Sequence, residues 1–146
     1  MIFIDTDIFV IERLFPNDER YIITNEFLNN DLADKCTSIF NLFELLGIAS
    51  FNLNIAELKK LLKGFSEVYD IKILFPETSY ESPDAFIEQL FHNVFEKISL
   101  KMSFSDALIL SVAEENYCSK FVTWNVKHFK GRTDIPVKTP AEMLKP

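Results

Sequence analysis

Met1-Ile2-Phe3-Ile4-Asp5-Thr6-Asp7 opens the chain with an apolar run that ends on an acid and not on a turn glycine. Ile2, Phe3 and Ile4 read as a buried strand. A carboxylate at the carboxyl end of such a strand sits at the rim of an open α/β sheet, where these folds place their ligands. Burying even the shoulder of that charge is expensive unless a cation, a proton or hydrogen-bond donors compensate it. Asp5 therefore demands partners from elsewhere in the chain.

Beyond Asp5 the sequence alternates helix and strand patterns. Asp7 is expected to cap a short helix through Ile8–Leu14, halted near Pro16, and a second helix is expected over Asp18–Asn29. Cys36-Thr37-Ser38-Ile39 is a short strand candidate, and Phe40 to Ala49 an apolar helical run. Asn54 suits the N-cap of a helix to about Val68, with Ile55, Leu58, Leu61, Leu62 and Phe65 on one stripe. Ile71 to Phe75 reads as a strand closed by Pro76. Ser82-Pro83 starts a helix that carries Phe86, Ile87, Leu90, Phe91, Val94, Phe95 and Ile98. Ser103 or Ser105 caps the next helix, which holds Asp106 to Ala113. Lys120 to Trp124 is a strand, Val126 to Phe129 a helical turn, Val137 to Thr139 a last short strand, and Ala141 to Leu144 a terminal turn. Strands alternating with helices predict an α/β sandwich on a parallel sheet, with residues 1–146 as one domain.

The bulk properties agree. A chain of 146 residues has room for one domain with a proper core. Its 48% hydrophobic content, with fifteen Phe, suits a folded globule, and three Gly and six Pro leave no low-complexity linker. No apolar run approaches bilayer-spanning length, and no signal peptide is expected. Cys36 and Cys118 lack metal-like spacing and point to free thiols in a reducing cytoplasm. The net charge of −7 argues against a nucleic-acid partner until its distribution is considered. Residues 118–146 carry Lys120, Lys127, Lys130, Arg132, Lys138 and Lys145 against Asp134 and Glu142, a surplus of +4, whereas residues 1–117 carry −11. A basic end beside an acidic body suits a phosphate-binding edge. A solvated surface of uneven charge is the plainer explanation.

Four positions carry the chemistry. Asp5 ends the first strand, Glu44 is the acid of an otherwise apolar helix, Asp106 opens a later helix, and Asn125 follows the strand Phe121-Val122-Thr123-Trp124. Strand ends and helix starts of a parallel sheet share a rim, so Asp5, Asp106 and Asn125 can converge there, joined by Glu44 if its helix leans across. Such a set is a hard, all-oxygen site that suits Mg²⁺ or Mn²⁺ and not Zn²⁺. Crowded carboxylates cannot all stay ionised without a cation. Singly, each has a plainer role: Asp7 and Asp106 as helix caps, which is the role assigned to Asp7, Glu44 as a solvent-facing residue, and Asn125 as a turn former.

Taken in order, these segments resemble the PIN-domain ribonucleases, in size and layout the VapC-type toxins of toxin–antitoxin pairs. The resemblance runs nearly end to end. It rests on Ile4-Asp5-Thr6-Asp7, on Glu44-Leu45-Leu46 after Ser38-Ile39, and above all on Ser105-Asp106-Ala107-Leu108-Ile109 followed by Phe121 to Phe129. It implies a PIN-like three-layer α/β/α sandwich with a central parallel sheet. It further implies Asp5, Glu44 and Asp106 as metal-binding acids, Asn125 at the fourth site position, and Thr123 as the hydroxyl that orients Asp5. Two positions depart from the family pattern: His128 stands where members often carry a further Asp, and Asp7 fills a slot more often held by Asn or Ser.

The implied activity is Mg²⁺- or Mn²⁺-dependent hydrolysis of RNA phosphodiester bonds. Lys120, Lys127, Lys130 and Arg132 would hold the RNA backbone, and Trp124 is either a base-stacking platform or part of the core. A cognate antitoxin, a homodimer and no membrane are the expected associations; fifteen Phe exceed what a small core readily hides. Two alternatives compete with this expectation. Asp5-Thr6-Asp7 also resembles the nucleophile motif of haloacid-dehalogenase-type phosphatases, though no Asp pair follows Lys120. A degenerate PIN domain that binds RNA or protein without cutting is the other.

Overall fold

The residues of the opening strand divide between two cores. Ile2 and Ile4 pack into one apolar cluster with Ile8, Phe9, Leu42, Leu45 and Phe65, while Phe3 packs into a second with Cys36, Leu110, Phe121 and Phe129. That alternation is the period of a strand buried on both faces. The computed structural model describes residues 1–31 and 33–145. Among them, β1 (Ile2–Ile4), β2 (Lys35–Ser38), β3 (Lys72–Leu74), β4 (Lys120–Val122) and β5 (Val137–Lys138) form one sheet. Its order is β3-β2-β1-β4-β5, and every pairing is parallel. The chain builds outward from β1 to β3 on one side, then crosses to β4 and β5 on the other. The order therefore reverses between β1 and β4, and the crevice beyond their carboxyl ends is where such sheets bind ligands.

Helices cover both faces, giving the α/β/α sandwich expected from the sequence. The first cluster is covered by α1 (Thr6–Leu14), α2 (Tyr21–Leu28), α3 (Ile39–Ala49) and α4 (Ile55–Tyr69). The second is covered by α5 (Pro83–Ser99), α6 (Phe104–Glu115) and the single turn α7 (Val126–Phe129). A last turn, α8 (Pro140–Met143), brings Met143 against the first cluster. Polar caps set most of the starts. Ser38 and Asn41 form a capping box on α3, Asn54 and Glu57 one on α4, and Ser82 caps α5 ahead of Pro83.

The structure departs from the sequence expectations in three places. The first helix is capped by Asp5, not Asp7, and so begins two residues earlier than expected. The second helix starts at Tyr21 and not at Asp18, because Asp18 accepts hydrogen bonds from the Arg20 N–H and guanidinium and holds a turn there. The third concerns apolar faces. In α4 only Leu61 and Phe65 are buried, and Ile55 and Leu62 face outward. In α5 only Val94 is buried, and Ile87, Phe91, Phe95 and Ile98 are exposed. Seven of the fifteen Phe are exposed, among them Phe43, Phe51, Phe91, Phe95 and Phe104. The core fills with fewer aromatic rings than the sequence supplies.

Phe65 is the hub of one core: its ring lies 5.0 Å from that of Phe9 and 4.9 Å from that of Tyr69. Phe65→Ala should lower unfolding stability by about 3–5 kcal/mol in urea titrations. Leu62→Ala, at an exposed position of the same helix, should change it by less than about 1 kcal/mol.

Candidate active site

Asp5 lies where β1 gives way to α1, and its charge is met by donors from three directions. Oδ1 accepts from the Thr6 N–H at 2.8 Å and from the Asn41 amide at 3.3 Å, and Oδ2 accepts from the Thr123 hydroxyl at 2.8 Å. Its own N–H donates to the Val122 carbonyl at 3.0 Å, so the ends of β1 and β4 are fixed together. Asp7 stands two residues on, and its role is not the cap expected of it. Its Oδ2 accepts from the N–H groups of Trp124 at 2.9 Å and Asn125 at 3.1 Å, and lies 3.1 Å from the Thr123 hydroxyl oxygen. Asp7 thus clamps the turn that leaves β4. Its Oδ1 is buried without a hydrogen-bond partner among the described residues.

This arrangement places a single hydroxyl proton between two carboxylates. Thr123 can donate to Asp5 or to Asp7 but not to both, while its oxygen also accepts the Asn125 N–H at 3.0 Å. The second short contact is satisfied when one acid carries a proton. The electrostatics point the same way. Burial raises Asp5 well above the usual carboxylate range, with the Asp7 and Glu44 charges adding to the rise and the Thr123 and Thr6 hydrogen bonds opposing it. Burial also raises Asp7 to about 6, against hydrogen bonds from Thr123, Trp124 and Asn125.

The remaining site residues close a ring around this pair. Asn41 and Glu44 lie one turn apart on α3; Asn41 reaches Asp5, and Glu44 Oε1 accepts the Ser105 hydroxyl at 2.7 Å. Ser105 adjoins Asp106, whose N–H is capped by Ser103 at 3.2 Å and whose Oδ2 lies 3.3 Å from His128 Nδ1. The His128 N–H donates to the Asn125 carbonyl at 2.9 Å, and Asn125 returns the path to Thr123. The lean of α3 that the sequence left open is therefore toward the mouth. The Asn125 side chain makes no capping bond, and its backbone is what Asp7 holds.

The donor chemistry of Asp5, Glu44 and Asp106 suits a hard divalent cation, and a cation would offset both the burial and the neighbouring charges that raise Asp5. Among the described residues, however, no three acidic, histidine or cysteine side chains converge as one ready ligand set. Asp106 faces His128, at the position where the resembled family often places another acid.

The basic residues do not form one patch. Lys127 and Lys130 are exposed on and just after α7, beside the mouth. Lys120 begins β4 next to Ile2, at the opposite end of the sheet, because a strand carries its two ends to opposite rims. The Arg132 guanidinium donates to the carbonyls of Leu100, Lys127 and His128, and so holds the end of α7 in place. Trp124 is half-buried against the first core and donates its indole N–H to Thr24 at 3.0 Å. Asn41 is not among the residues the sequence singles out, and Ser105 enters there as a cap candidate and a motif residue, not as the partner of Glu44. The signal for Asn41 was its place three residues after a Ser N-cap, a position otherwise occupied by a capping-box acid or amide.

No family model matches the sequence, and no curated protein matches it. Solved structures match the fold along nearly the whole chain. A chain of VapBC-1 from nontypeable Haemophilus influenzae is 21% identical, with 97% of this chain and 99% of that one covered and a TM-score of 0.66. A chain of FitAcB from Neisseria gonorrhoeae is 16% identical, with 97% and 99% covered and a TM-score of 0.64. A chain of VapBC2 from Rickettsia felis, solved with a DNA fragment from the promoter, is 21% identical, with 95% and 98% covered and a TM-score of 0.61. The chain has the PIN-like α/β/α fold, and it shares that fold with chains of toxin–antitoxin complexes.

Asp7 supplies a test by pH. Its folded value of about 6 lies above the ordinary 3.8, so the folded state holds this proton more firmly than the unfolded chain. The resulting stability is complete below about pH 4 and is lost as pH rises through about 6. Asp7→Asn retains an acceptor for Trp124 and Asn125 and sets an amide where Oδ1 lacks a partner. In urea titrations with EDTA it should stabilise the protein by roughly 1–3 kcal/mol at pH 7.5, and the gain should shrink toward pH 4.

Proposed function

We propose that this chain is a Mg²⁺- or Mn²⁺-dependent endoribonuclease, acting in the cytoplasm as the toxin of a toxin–antitoxin pair. One observation carries the proposal: the buried Asp5, at the reversal point of the sheet, feels the charges of both Asp7 and Glu44, and Glu44 is bonded to Ser105, the neighbour of Asp106. The fold shared with VapBC and FitAB chains supports the same reading.

Asp5, Glu44 and Asp106 would hold the ion, with Asn125 at the fourth position. A bound divalent cation supplies a Lewis acid that activates water at neutral pH and offsets charge developing on the phosphate. The protein's own part is positional. Thr123 and Asn41 fix the Asp5 carboxylate, Ser105 fixes Glu44, and His128 would have to yield Asp106 for that acid to help hold an ion. Lys127 and Lys130 hold the RNA backbone beside the mouth. Trp124, half-buried against the first core and committed to Thr24 through its N–H, has only part of its ring left for a base. The exposed Phe91, Phe95 and Phe43 supply apolar surface for a second copy of the chain and for an antitoxin. The Asp106–His128 contact favours a second reading, a PIN-like domain that binds RNA or protein without cutting.

Purified protein should cleave single-stranded RNA with Mg²⁺ or Mn²⁺, stop with EDTA, and leave duplex DNA intact. Calorimetry with Mn²⁺ separates the two readings before any RNA is added. Asp5→Asn and Asp106→Asn should each weaken Mn²⁺ binding by about tenfold or more, near 1.4 kcal/mol. Parental affinity in both variants would remove the assignment, and EDTA-resistant cleavage would remove the metal mechanism.

Charge reversal of Lys127 and Lys130 addresses the nucleic-acid edge separately. The double variant should bind single-stranded RNA more weakly, and the slope of log affinity against log salt should flatten by about 1–1.5. Its Mn²⁺ affinity should stay near the parental value.

A further inference from the structure

The two cysteines are separated by 82 positions in sequence, yet their sulfurs lie 3.6 Å apart. Cys36 is in β2, completely buried, with its sulfur 3.4 Å from the Ile2 carbonyl. Cys118 lies between α6 and β4 and retains 6% exposure. Its N–H closes the end of α6 on the Ala113 carbonyl at 3.1 Å, and the preceding Tyr117 adopts a left-handed backbone with φ of 53°. That turn sets Cys118 in the wall of a surface cavity of about 390 Å³, beside Tyr117, Ile135 and Pro136. The cavity lies at the amino end of β4, away from the acidic mouth.

We propose that Cys36 and Cys118 are an oxidisable pair, in which Cys118 meets a small-molecule disulfide at this cavity and Cys36 resolves the product into an internal disulfide. The geometry favours that order. Cys118 borders open space and Cys36 does not, and the sulfurs must close by only about 1.5 Å to reach bonding distance. The acid–base balance agrees. Contact with Cys36 and the Met1 ammonium lower Cys118 against its own burial, whereas contact with Cys118 and burial raise Cys36.

The chemistry is two successive exchanges. The Cys118 thiolate attacks one sulfur of the small disulfide, forming a mixed disulfide and expelling one small thiolate, which takes up the proton Cys118 released. Cys36 then gives up its proton and attacks the Cys118 sulfur, forming the Cys36–Cys118 bond and expelling the second small thiol. Two protein thiols are oxidised and one small disulfide is reduced to two thiols. The new bond would staple β2 to the start of β4, the strands that flank β1 on either side. It would also close a long loop in the unfolded chain, which is the condition for a large stabilisation.

The test uses the native full-length protein and glutathione disulfide, read by intact mass. The wild-type protein should lose two hydrogens, return to its starting mass with dithiothreitol, and gain at least about 5 °C in Tm while oxidised. Cys36→Ser should instead accumulate one glutathione, mapped to Cys118, and Cys118→Ser should accumulate none. A wild-type mass that stays unchanged while the denatured chain oxidises would overturn the proposal. So would wild-type protein that keeps bound glutathione without the internal bond, or Cys118→Ser protein modified as readily as Cys36→Ser. The wild-type measurement stands by itself should either variant fail to fold.

Discussion

The Thr123 hydroxyl, set between the carboxylates of Asp5 and Asp7, is the contact on which the mouth of this protein depends. It lies 2.8 Å from one acid and 3.1 Å from the other, fully buried, at the point where β4 ends. Like charges this near repel strongly where water is excluded. Backbone N–H groups offset part of that cost, Thr6 for Asp5 and Trp124 and Asn125 for Asp7, and a proton on one acid offsets more. These donors belong to the backbone at strand ends and helix starts, so the fold itself shares in holding the pair. The same bonds tie α1 to the segment that leads into α7. Removing one would loosen the site and the β1–β4 junction at once.

The parallel sheet was legible in the sequence because its strands are short apolar runs ending at polar rims. Ile2–Ile4 and Lys120–Val122 both do so, and each lies near the position its pattern indicates. The helix starts were legible where a cap announced them, as at Asn54 and Ser82. Asp7 misled because an acid just ahead of an apolar run looks like a cap. The true cap is Asp5, which accepts the Thr6 N–H while also facing the rim, and no local pattern distinguishes one such acid from another two residues away. The stripe of α5 misled for a different reason. Periodicity reports an apolar face but not whether the same chain covers it, and Phe91 and Phe95 remain 64% and 69% exposed.

Long-range pairings stayed hidden. The Ser105–Glu44 bond spans 61 positions and the cysteine contact 82. Such contacts follow from strand order, and one sequence does not state strand order. Once β2 and β4 are known to flank β1, Cys36 and Cys118 fall on the same side of the sheet, and their spacing in sequence loses its force. Lys120 illustrates the converse. It shares a basic segment with Lys127 and Lys130, yet the strand between them carries it to the far rim.

This separation explains how a basic edge and an acidic mouth coexist. Were a lysine to lie directly on Asp5 or Glu44, the pair would neutralise itself and the site would have no charge left to attract a cation. Among the described residues no lysine or arginine forms an ion pair with Asp5, Asp7, Glu44 or Asp106. Instead α7 is fastened through backbone groups: Asp7 holds the Asn125 N–H, and Arg132 holds the carbonyls of Lys127 and His128. Its lysines are thereby brought beside the acids without touching them. Among the described residues, the imidazole of His128 is the cationic-capable group that does reach one of these four acids, 3.3 Å from Asp106. The contact is a single imidazole nitrogen on one carboxylate oxygen, without the two-pronged geometry a guanidinium would bring. Asp106 thus takes its partner from α7, the same element whose backbone Asp7 and Arg132 fasten.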